Sequence, residues 1–210
     1  MRVVILISGR GSNMEALLRA GLPVEFAAVI SNKAEAEGLK IARELGVETV
    51  VVNHKDYPDR AAYDAKLAEV IDGLGADLVC LAGFMRILSE GFVNRYAGRM
   101  INIHPSLLPS FTGLDTHARA LAAGVKLHGC TVHYVTPELD AGPIVVQAAV
   151  PVLGGDTPDS LGARVLEQEH RIYPLAVRWI AEGRIALTGD GRTSLQGSPA
   201  STAALISPQA

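Results

Sequence analysis

Short apolar runs alternate with amphipathic segments along the first hundred residues of the chain. Five of these runs predict β-strands, at residues 3–7, 25–31, 47–52, 77–82 and 99–104. Strands that are apolar at almost every position must be covered on both faces, which is typical of a parallel sheet. Helical spacing between them predicts helices at about 13–20, 34–45 and 59–74. The pattern indicates an α/β protein with a doubly wound, mostly parallel sheet.

The pattern changes after residue 105. A Pro-rich loop and a helix at about 116–123 precede two further strand-like runs, at 126–135 and 143–152. The short connection between these runs predicts an antiparallel hairpin added to the sheet. A long helix is predicted from Pro158 to Gly183, and the Gly-, Ser- and Pro-rich segment from 188 to 210 is predicted to be a loosely ordered tail.

Composition and charge narrow the function classes. The 210 residues are 49% hydrophobic, which suits one globular domain. The net charge of -3 gives no basic excess for nucleic acid, and no apolar run is long enough to span a membrane. Cys80 and Cys130 lie in apolar strand-like runs without metal-ligand spacing, so buried thiols are expected. These features predict a soluble, cytoplasmic protein.

Two glycines follow the first strand in "ISGRGSN", residues 7–13. A strand, a glycine turn and a helix start direct free backbone N–H groups and the positive helix end at one point, which suits a phosphate. The third glycine of a dinucleotide motif and the lysine of a P-loop are both missing. A single phosphate is therefore the favoured ligand, although the motif alone fits a simple tight turn equally well.

The stretch "MINIHPSLLP", residues 100–109, places two polar side chains at the end of a core strand. Strand alternation puts Asn102 and His104 on one face at the carboxyl end of the strand, and open parallel sheets bind ligands just beyond such ends. The alternative is a buried polar pair without catalytic function, and the pairing favours a site. Asp140, in "TPELDAGPI", is either a turn former or a carboxylate that favours the imidazolium form of His104.

Several motifs occur in the order found in glycinamide ribonucleotide formyltransferases, which this chain closely resembles over about residues 1–187. They are "ISGRGSN", "SNKAEAEGLKIA", "LAGFMRIL", "NIHPSLLPSFTGLDTH" and "HGCTVHYVTPELDAGPIVVQ". The resemblance implies a Rossmann-like formyltransferase fold with a nucleotide-binding half at about 1–100 and a folate-binding, catalytic half at about 101–187. It implies formyl transfer from 10-formyltetrahydrofolate to the amine of glycinamide ribonucleotide, in de novo purine synthesis.

The resemblance also implies roles for individual residues. It implies a catalytic trio of Asn102, His104 and Asp140. The ribonucleotide contacts implied are Gly11, Ser12, Asn13, Leu166, Glu167, Gln168 and Glu169. The folate contacts implied are Arg60, Met85, Arg86, Ile87, Leu88, Asn102, Thr136, Pro137, Glu138, Leu139 and Asp140. No metal and no covalent enzyme intermediate is expected, the partners are small molecules, and the chain is expected to be a monomer or homodimer.

This chain departs from the family at three of these or neighbouring positions. Relatives commonly have Pro or Lys where Thr112 stands and often His where Asp115 stands. The resemblance therefore does not fix the shape of this loop. Some relatives have a polar residue at the position of Leu166. From the residues alone, a polar run such as 167–170 on a helix is by default a solvated face.

Three other functions are weighed against this one. A methionyl-tRNA formyltransferase is expected to have a further carboxyl-terminal domain and a basic surface. A formyltetrahydrofolate hydrolase is expected to have an additional amino-terminal domain, whereas this chain begins at its first predicted strand. A non-catalytic nucleotide-binding module would need the glycine turn but not Asn102, His104 and Asp140 together.

Overall fold

The computed structural model describes residues 1–197 and 205–208. The chain divides into two compact units. Unit 1 comprises residues 1–102 and 134–138, and unit 2 comprises residues 103–133 and the described part of 139–210.

Unit 1 contains the parallel part of the sheet. Its elements are β1 (Arg2–Ile7), α1 (Ser12–Arg19), β2 (Glu25–Ser31), α2 (Glu37–Glu44), β3 (Thr49–Val51), α3 (Arg60–Gly73), β4 (Leu78–Leu81), α4 (Glu90–Arg95) and β5 (Met100–His104), whose last two residues belong to unit 2. The strands lie in the order β3-β2-β1-β4-β5, and each neighbouring pair is parallel. The five strands predicted from the apolar runs are therefore confirmed.

Both faces of this sheet are buried. Val4 and Leu6 of β1 belong to a core with Tyr63 and Leu67 of α3. The alternate residues of β1 point to the opposite face and are also fully buried, since Ile5 has no exposed surface. This double burial explains why the strands read as continuous apolar runs. Because neighbouring strands are parallel, the carboxyl ends of β1, β4 and β5 lie at one edge of the sheet.

Unit 2 contains the hairpin and the long helix. Its elements are α5 (Thr116–Ala123), β6 (Leu127–Tyr134), β7 (Ile144–Pro151), α6 (Pro158–Ala181), β8 (Ile185–Leu187) and β9 (Thr193–Leu195). β6 and β7 are antiparallel, with Cys130 opposite Ala148, so the predicted hairpin is confirmed. Thr157 and Ser160 form a capping box that starts α6. Tyr134, at the end of β6, and the following residues belong to unit 1, where the Val135 N–H donates to the Met100 carbonyl at 2.9 Å. The full strand order is β3-β2-β1-β4-β5-β6-β7.

Some elements differ from the sequence-based expectation. α2 begins at Glu37 rather than near residue 34, and α4 was not predicted. Within the segment predicted to be a loose tail, strand β9 pairs with β8 in an antiparallel manner, and the Thr193 hydroxyl donates to the Ile144 carbonyl at 2.5 Å. The prediction for residues 198–204 and 209–210 falls outside the described residues.

Among the described residues, no helix is both long and apolar enough to cross a membrane.

Candidate active site

The glycine turn at the start of α1 adopts a conformation that requires glycine. Gly11 is the N-cap residue of α1 and has a φ of 76°, in the left-handed region. A Cβ at this position would lie 2.9 Å from the backbone of Gly38. Close backbone packing therefore leaves no room for a side chain, and no side chain caps the helix in place of a ligand.

A cavity of about 230 Å³ opens at this turn. Its lining residues are Ser8, Gly9, Arg10, Gly11, Ser12, Asn13, Ala82, Gly83 and Met85. The predicted ribonucleotide contacts Gly11, Ser12 and Asn13 thus lie together, beside the amino-terminal end of a helix whose dipole favours an anion. Arg10 adds a positive charge to the rim, and sequence reasoning did not single out this side chain as a contact.

The loop after β4 joins the same cavity through Ser8. The Ser8 hydroxyl donates to Asn32 Oδ1 at 2.6 Å and accepts from the Met85 N–H at 2.8 Å. Its hydrogen bonds hold the loop that follows β4 to the end of β1. Met85 and Ile87 of this loop are 70% and 69% exposed, so both offer apolar surface to a ligand.

Arg86 lies between these two exposed residues and stacks on a buried tyrosine. Its guanidinium carbon is 4.8 Å from the ring centroid of Tyr63, which is fully buried. Burial raises the pKa of the Tyr63 phenol, despite the opposing charge of Arg86. Arg60, also predicted to contact folate, is exposed at the first turn of α3.

Strand β5 presents the central polar residues. Asn102 is half-buried and pairs in register with Leu81 of β4. His104 is the last residue of the strand and only 5% exposed. The two-residue period of the strand puts both side chains on one face.

His104 and Asp140, 36 positions apart in sequence, are brought together in unit 2. The distance from His104 Nδ1 to Asp140 Oδ2 is 3.5 Å, and both side chains are less than a tenth exposed. Asp140 has a φ of 53°, which is uncommon for a residue with a side chain. Its Oδ2 accepts a hydrogen bond from the Gly113 N–H at 2.8 Å.

The hydrogen bond of His104 Nε2 determines which ring nitrogen carries the proton when the ring is neutral. Nε2 lies 2.9 Å from the Phe111 carbonyl, which can only accept a hydrogen bond. Nε2 therefore carries the proton of the neutral ring, and Nδ1 is the nitrogen that gains and loses a proton. Because 3.5 Å is longer than a hydrogen bond, a proton on Nδ1 is available to a substrate or water.

Leu88 is half-buried and packs against the core of unit 1, and the other remaining predicted folate contacts lie in the segment that ends at Asp140. Thr136, Pro137 and Glu138 belong to unit 1, and Leu139 belongs to unit 2. Leu139 is 60% exposed, and the Thr136 hydroxyl donates to the Glu138 carbonyl at 3.2 Å. This exposed apolar side chain resembles those of Met85 and Ile87 in character.

The polar run on α6 is not uniformly solvated. Glu167 is exposed, Leu166 and Gln168 are half-buried, and Glu169 is only 7% exposed. The solvated face that is the default for such a run is therefore wrong for Glu169. Burial, together with the charge of Glu169, raises the pKa of Cys130 to about 12. Both cysteines are free and buried, as expected.

Sequence reasoning missed the groups that hold His104 and Asp140. These are the Phe111 carbonyl, the Gly113 N–H and a second histidine, His133, whose Nε2 lies 3.9 Å from Asp140 Oδ1. Only the departures at Thr112 and Asp115 drew attention to this loop. Within the described part of the chain, no group of three His, Cys, Asp or Glu side chains is arranged to hold a metal ion.

Two further histidines form a buried pair next to this loop. His117 Nδ1 lies 3.1 Å from His128 Nε2, and the His128 ring meets the Phe111 ring edge-on at 5.9 Å. Burial, reinforced by His117, lowers the pKa of His128 to about 4, and burial also lowers the pKa of His117. Both rings are neutral in the folded protein near pH 7, so one of the two facing nitrogens donates to the other.

This pair predicts a specific acid sensitivity. The unfolded chain protonates these histidines near pH 6.5, whereas the folded chain protonates His128 only near pH 4. The stability contributed by neutral His128 is therefore present above pH 6.5 and is lost as the pH falls toward 4, at up to about 1.4 kcal/mol per pH unit. We expect the free energy of unfolding in urea to fall less between pH 7 and pH 5 for His128→Gln than for the wild type. An equal fall in both proteins would contradict the assignment.

Comparisons with known proteins find a matching family and similar sequences. The formyl transferase family matches residues 1–177. The chain is 50% identical over 191 residues to the phosphoribosylglycinamide formyltransferase of Escherichia coli, covering 89% of this chain and 90% of that protein. It is also 50% identical over 195 residues to the trifunctional purine biosynthetic protein adenosine-3 of Bos taurus, covering 91% of this chain but 19% of that protein.

A solved structure is similar to this chain in both sequence and fold. The crystal structure of glycinamide ribonucleotide transformylase 1 from Symbiobacterium toebii superposes with a TM-score of 0.90 at 49% identity. The match covers 93% of each chain.

Proposed function

Because the chain belongs to the formyl transferase family, we propose that it is an enzyme of purine biosynthesis that formylates glycinamide ribonucleotide. The formyl donor in this proposal is 10-formyltetrahydrofolate, and the products are formylglycinamide ribonucleotide and tetrahydrofolate. The observation that carries the proposal is the buried His104–Asp140 pair at the end of β5, with one histidine nitrogen committed to the backbone and the other available.

Acyl transfer makes two demands on the protein. The substrate amine attacks the formyl carbon, a C–N bond forms, and the carbonyl electron pair moves to oxygen, where the oxyanion needs a positioned donor. When the oxygen electron pair returns, the bond from the formyl carbon to the folate nitrogen breaks. The folate nitrogen then takes up a proton, and the new ammonium group gives one up.

The described residues supply both functions in this proposal. Asn102 and the Nδ1–H of protonated His104 donate to the oxyanion. Asp140 stabilises the charge of that imidazolium, and its carboxylate accepts a proton from the ammonium, directly or through water. His104 Nδ1 gives its proton to the departing folate nitrogen, and the proton held by Asp140 then returns to His104, so that both groups are restored. The low exposure of both side chains strengthens these charge interactions, because less water screens them.

Binding of the two substrates uses separate groups. The backbone N–H groups of the turn at Gly11, Ser12 and Asn13 hold the ribonucleotide phosphate, and residues 166–169 of α6 contact the rest of the ribonucleotide. Met85, Ile87 and Leu139 offer apolar surface to the pterin, while Arg60 and Arg86 attract the carboxylates of the glutamate tail. Leu88, Asn102 and residues 136–138 complete the proposed folate contacts.

A folate-conversion assay tests the function directly. Purified protein is mixed with a 10-formyl folate, and deformylated folate and formylated ribonucleotide are measured with and without glycinamide ribonucleotide. We expect the two products to appear in equal amounts, and only when the ribonucleotide is present. Folate conversion without the ribonucleotide would identify a hydrolase, and binding of both compounds without conversion would identify a non-catalytic module.

A further inference from the structure

We propose that Arg119, on α5, is a positioning residue that sets the geometry of His104 and Asp140 through the loop formed by residues 111–114. The inference rests on the proposed catalytic roles of these two side chains. In the described part of unit 2, Arg119 donates to backbone carbonyls and not to His104 or Asp140. It acts through the backbone between them.

The loop at 111–114 holds both side chains at once. The Phe111 carbonyl accepts from His104 Nε2 at 2.9 Å, and the Gly113 N–H donates to Asp140 Oδ2 at 2.8 Å. These two backbone groups are two residues apart. Any shift of the loop therefore changes the tautomer and orientation of His104 together with the position of the carboxylate.

The loop has little regular structure of its own to stabilise its conformation. It lies outside any helix or strand, and Leu114 is 73% exposed. Phe111 has a φ of 56° and Asp115 a φ of 55°, which are costly conformations for residues with side chains. Such a backbone persists only when surrounding groups hold it.

Arg119 supplies that support. Its Nη1 donates to the Thr112 carbonyl and, at 3.2 Å, to the Leu114 carbonyl, so one guanidinium nitrogen bridges both sides of Gly113. The guanidinium carbon also lies 5.8 Å from the Phe111 ring centroid. One side chain thus holds the carbonyls of the residues that follow Phe111 and Gly113, whose backbone groups bind His104 and Asp140.

Three variants separate positioning from general structure. Arg119→Met keeps the length and apolar stem but removes every donor. Arg119→Lys restores a donor without the planar, forked geometry that bridges two carbonyls. Arg43→Met is the matched control, because Arg43 is an exposed helical arginine with one side-chain hydrogen bond, to Thr49, and no proposed part in the reaction.

Two readouts are measured for each variant. The first is kcat and KM for glycinamide ribonucleotide, together with Tm. We expect kcat to fall by about tenfold to a hundredfold in Arg119→Met and by less in Arg119→Lys, with KM within about twofold and Tm close to wild type, since misplacing a catalytic group lowers kcat. Arg43→Met should match the wild type.

The second readout needs no activity. Nitrogen-15 NMR of the His104 ring reports whether Nε2 alone carries the proton at a pH where the ring is neutral. We expect a single Nε2–H form in the wild type and in Arg43→Met, and a mixture of the two tautomers in Arg119→Met. If the wild type transfers no formyl group, the proposed catalysis fails, while the ring signals still decide whether Arg119 holds His104.

An unchanged ring signal in Arg119→Met would overturn the inference. So would an unchanged kcat with altered tautomers, because the positioning would then have no catalytic consequence. A fall in kcat matched by a large loss of Tm would assign Arg119 to stability alone.

Discussion

Replacing His104 by alanine is expected to lower kcat by about a thousandfold while leaving KM for glycinamide ribonucleotide nearly unchanged. A positioned general acid contributes about 10²–10⁴-fold, and His104 also donates to the oxyanion in the proposed reaction. Both contributions arise in the transition state rather than in the bound ground state, so the loss should appear in kcat. Steady-state kinetics with both substrates would measure it.

His133 provides the internal comparison for this experiment. It also faces Asp140, but at 3.9 Å and from β6 rather than from the end of β5. We expect His133→Gln to lower kcat less than about tenfold, because it removes a neighbour of the carboxylate and not the proposed acid. A wild-type kcat in a folded His104→Ala protein would remove His104 from the mechanism.

Replacing Asp140 by asparagine is expected to lower kcat by about a hundredfold. Asparagine has almost the same shape, and its amide oxygen can still accept from the Gly113 N–H. The change therefore isolates the negative charge that faces His104 at 3.5 Å. Without that charge, no carboxylate accepts the ammonium proton in the proposed reaction, so the loss should appear in kcat.

Asp156→Asn is the matched control for Asp140→Asn. Asp156 forms an ion pair and hydrogen bonds with Arg164, which hold its pKa well below the usual range. We expect the control to lower Tm without lowering kcat, since this carboxylate has no proposed part in the reaction. If Asp140→Asn changed only the KM for folate, Asp140 would be a binding residue and not a partner of His104.

The predictable part of the fold consists of elements with a long, regular pattern. The strands of unit 1 were recognisable because burial on both faces requires apolar side chains at every position. α4 was missed because it has six residues and contains Gly91, so it shows less than two turns of helical periodicity. β8 and β9 have three residues each, which is too short for an alternating pattern.

Local sequence pattern likewise predicted some features of the site and not others. Asn102 and His104 are two residues apart on one strand, so their shared face followed from local geometry alone. The burial of Glu169 did not, because its position on α6 gives no sign of what packs against it. The pairing of His117 with His128 likewise joins a helix to a strand.

The sequence by itself determined the apolar runs of the strands, the glycine turn, the polar pair on β5 and the motifs of the formyl transferase family. Only the tertiary structure decided that Asp140 meets His104, which ring nitrogen is free, and that a loop held by Arg119 positions both. The physical reason is that the Phe111 carbonyl and the Gly113 N–H are backbone groups. Every residue carries a carbonyl and almost every residue an N–H, so only the path of the folded chain shows which of them point at a catalytic side chain.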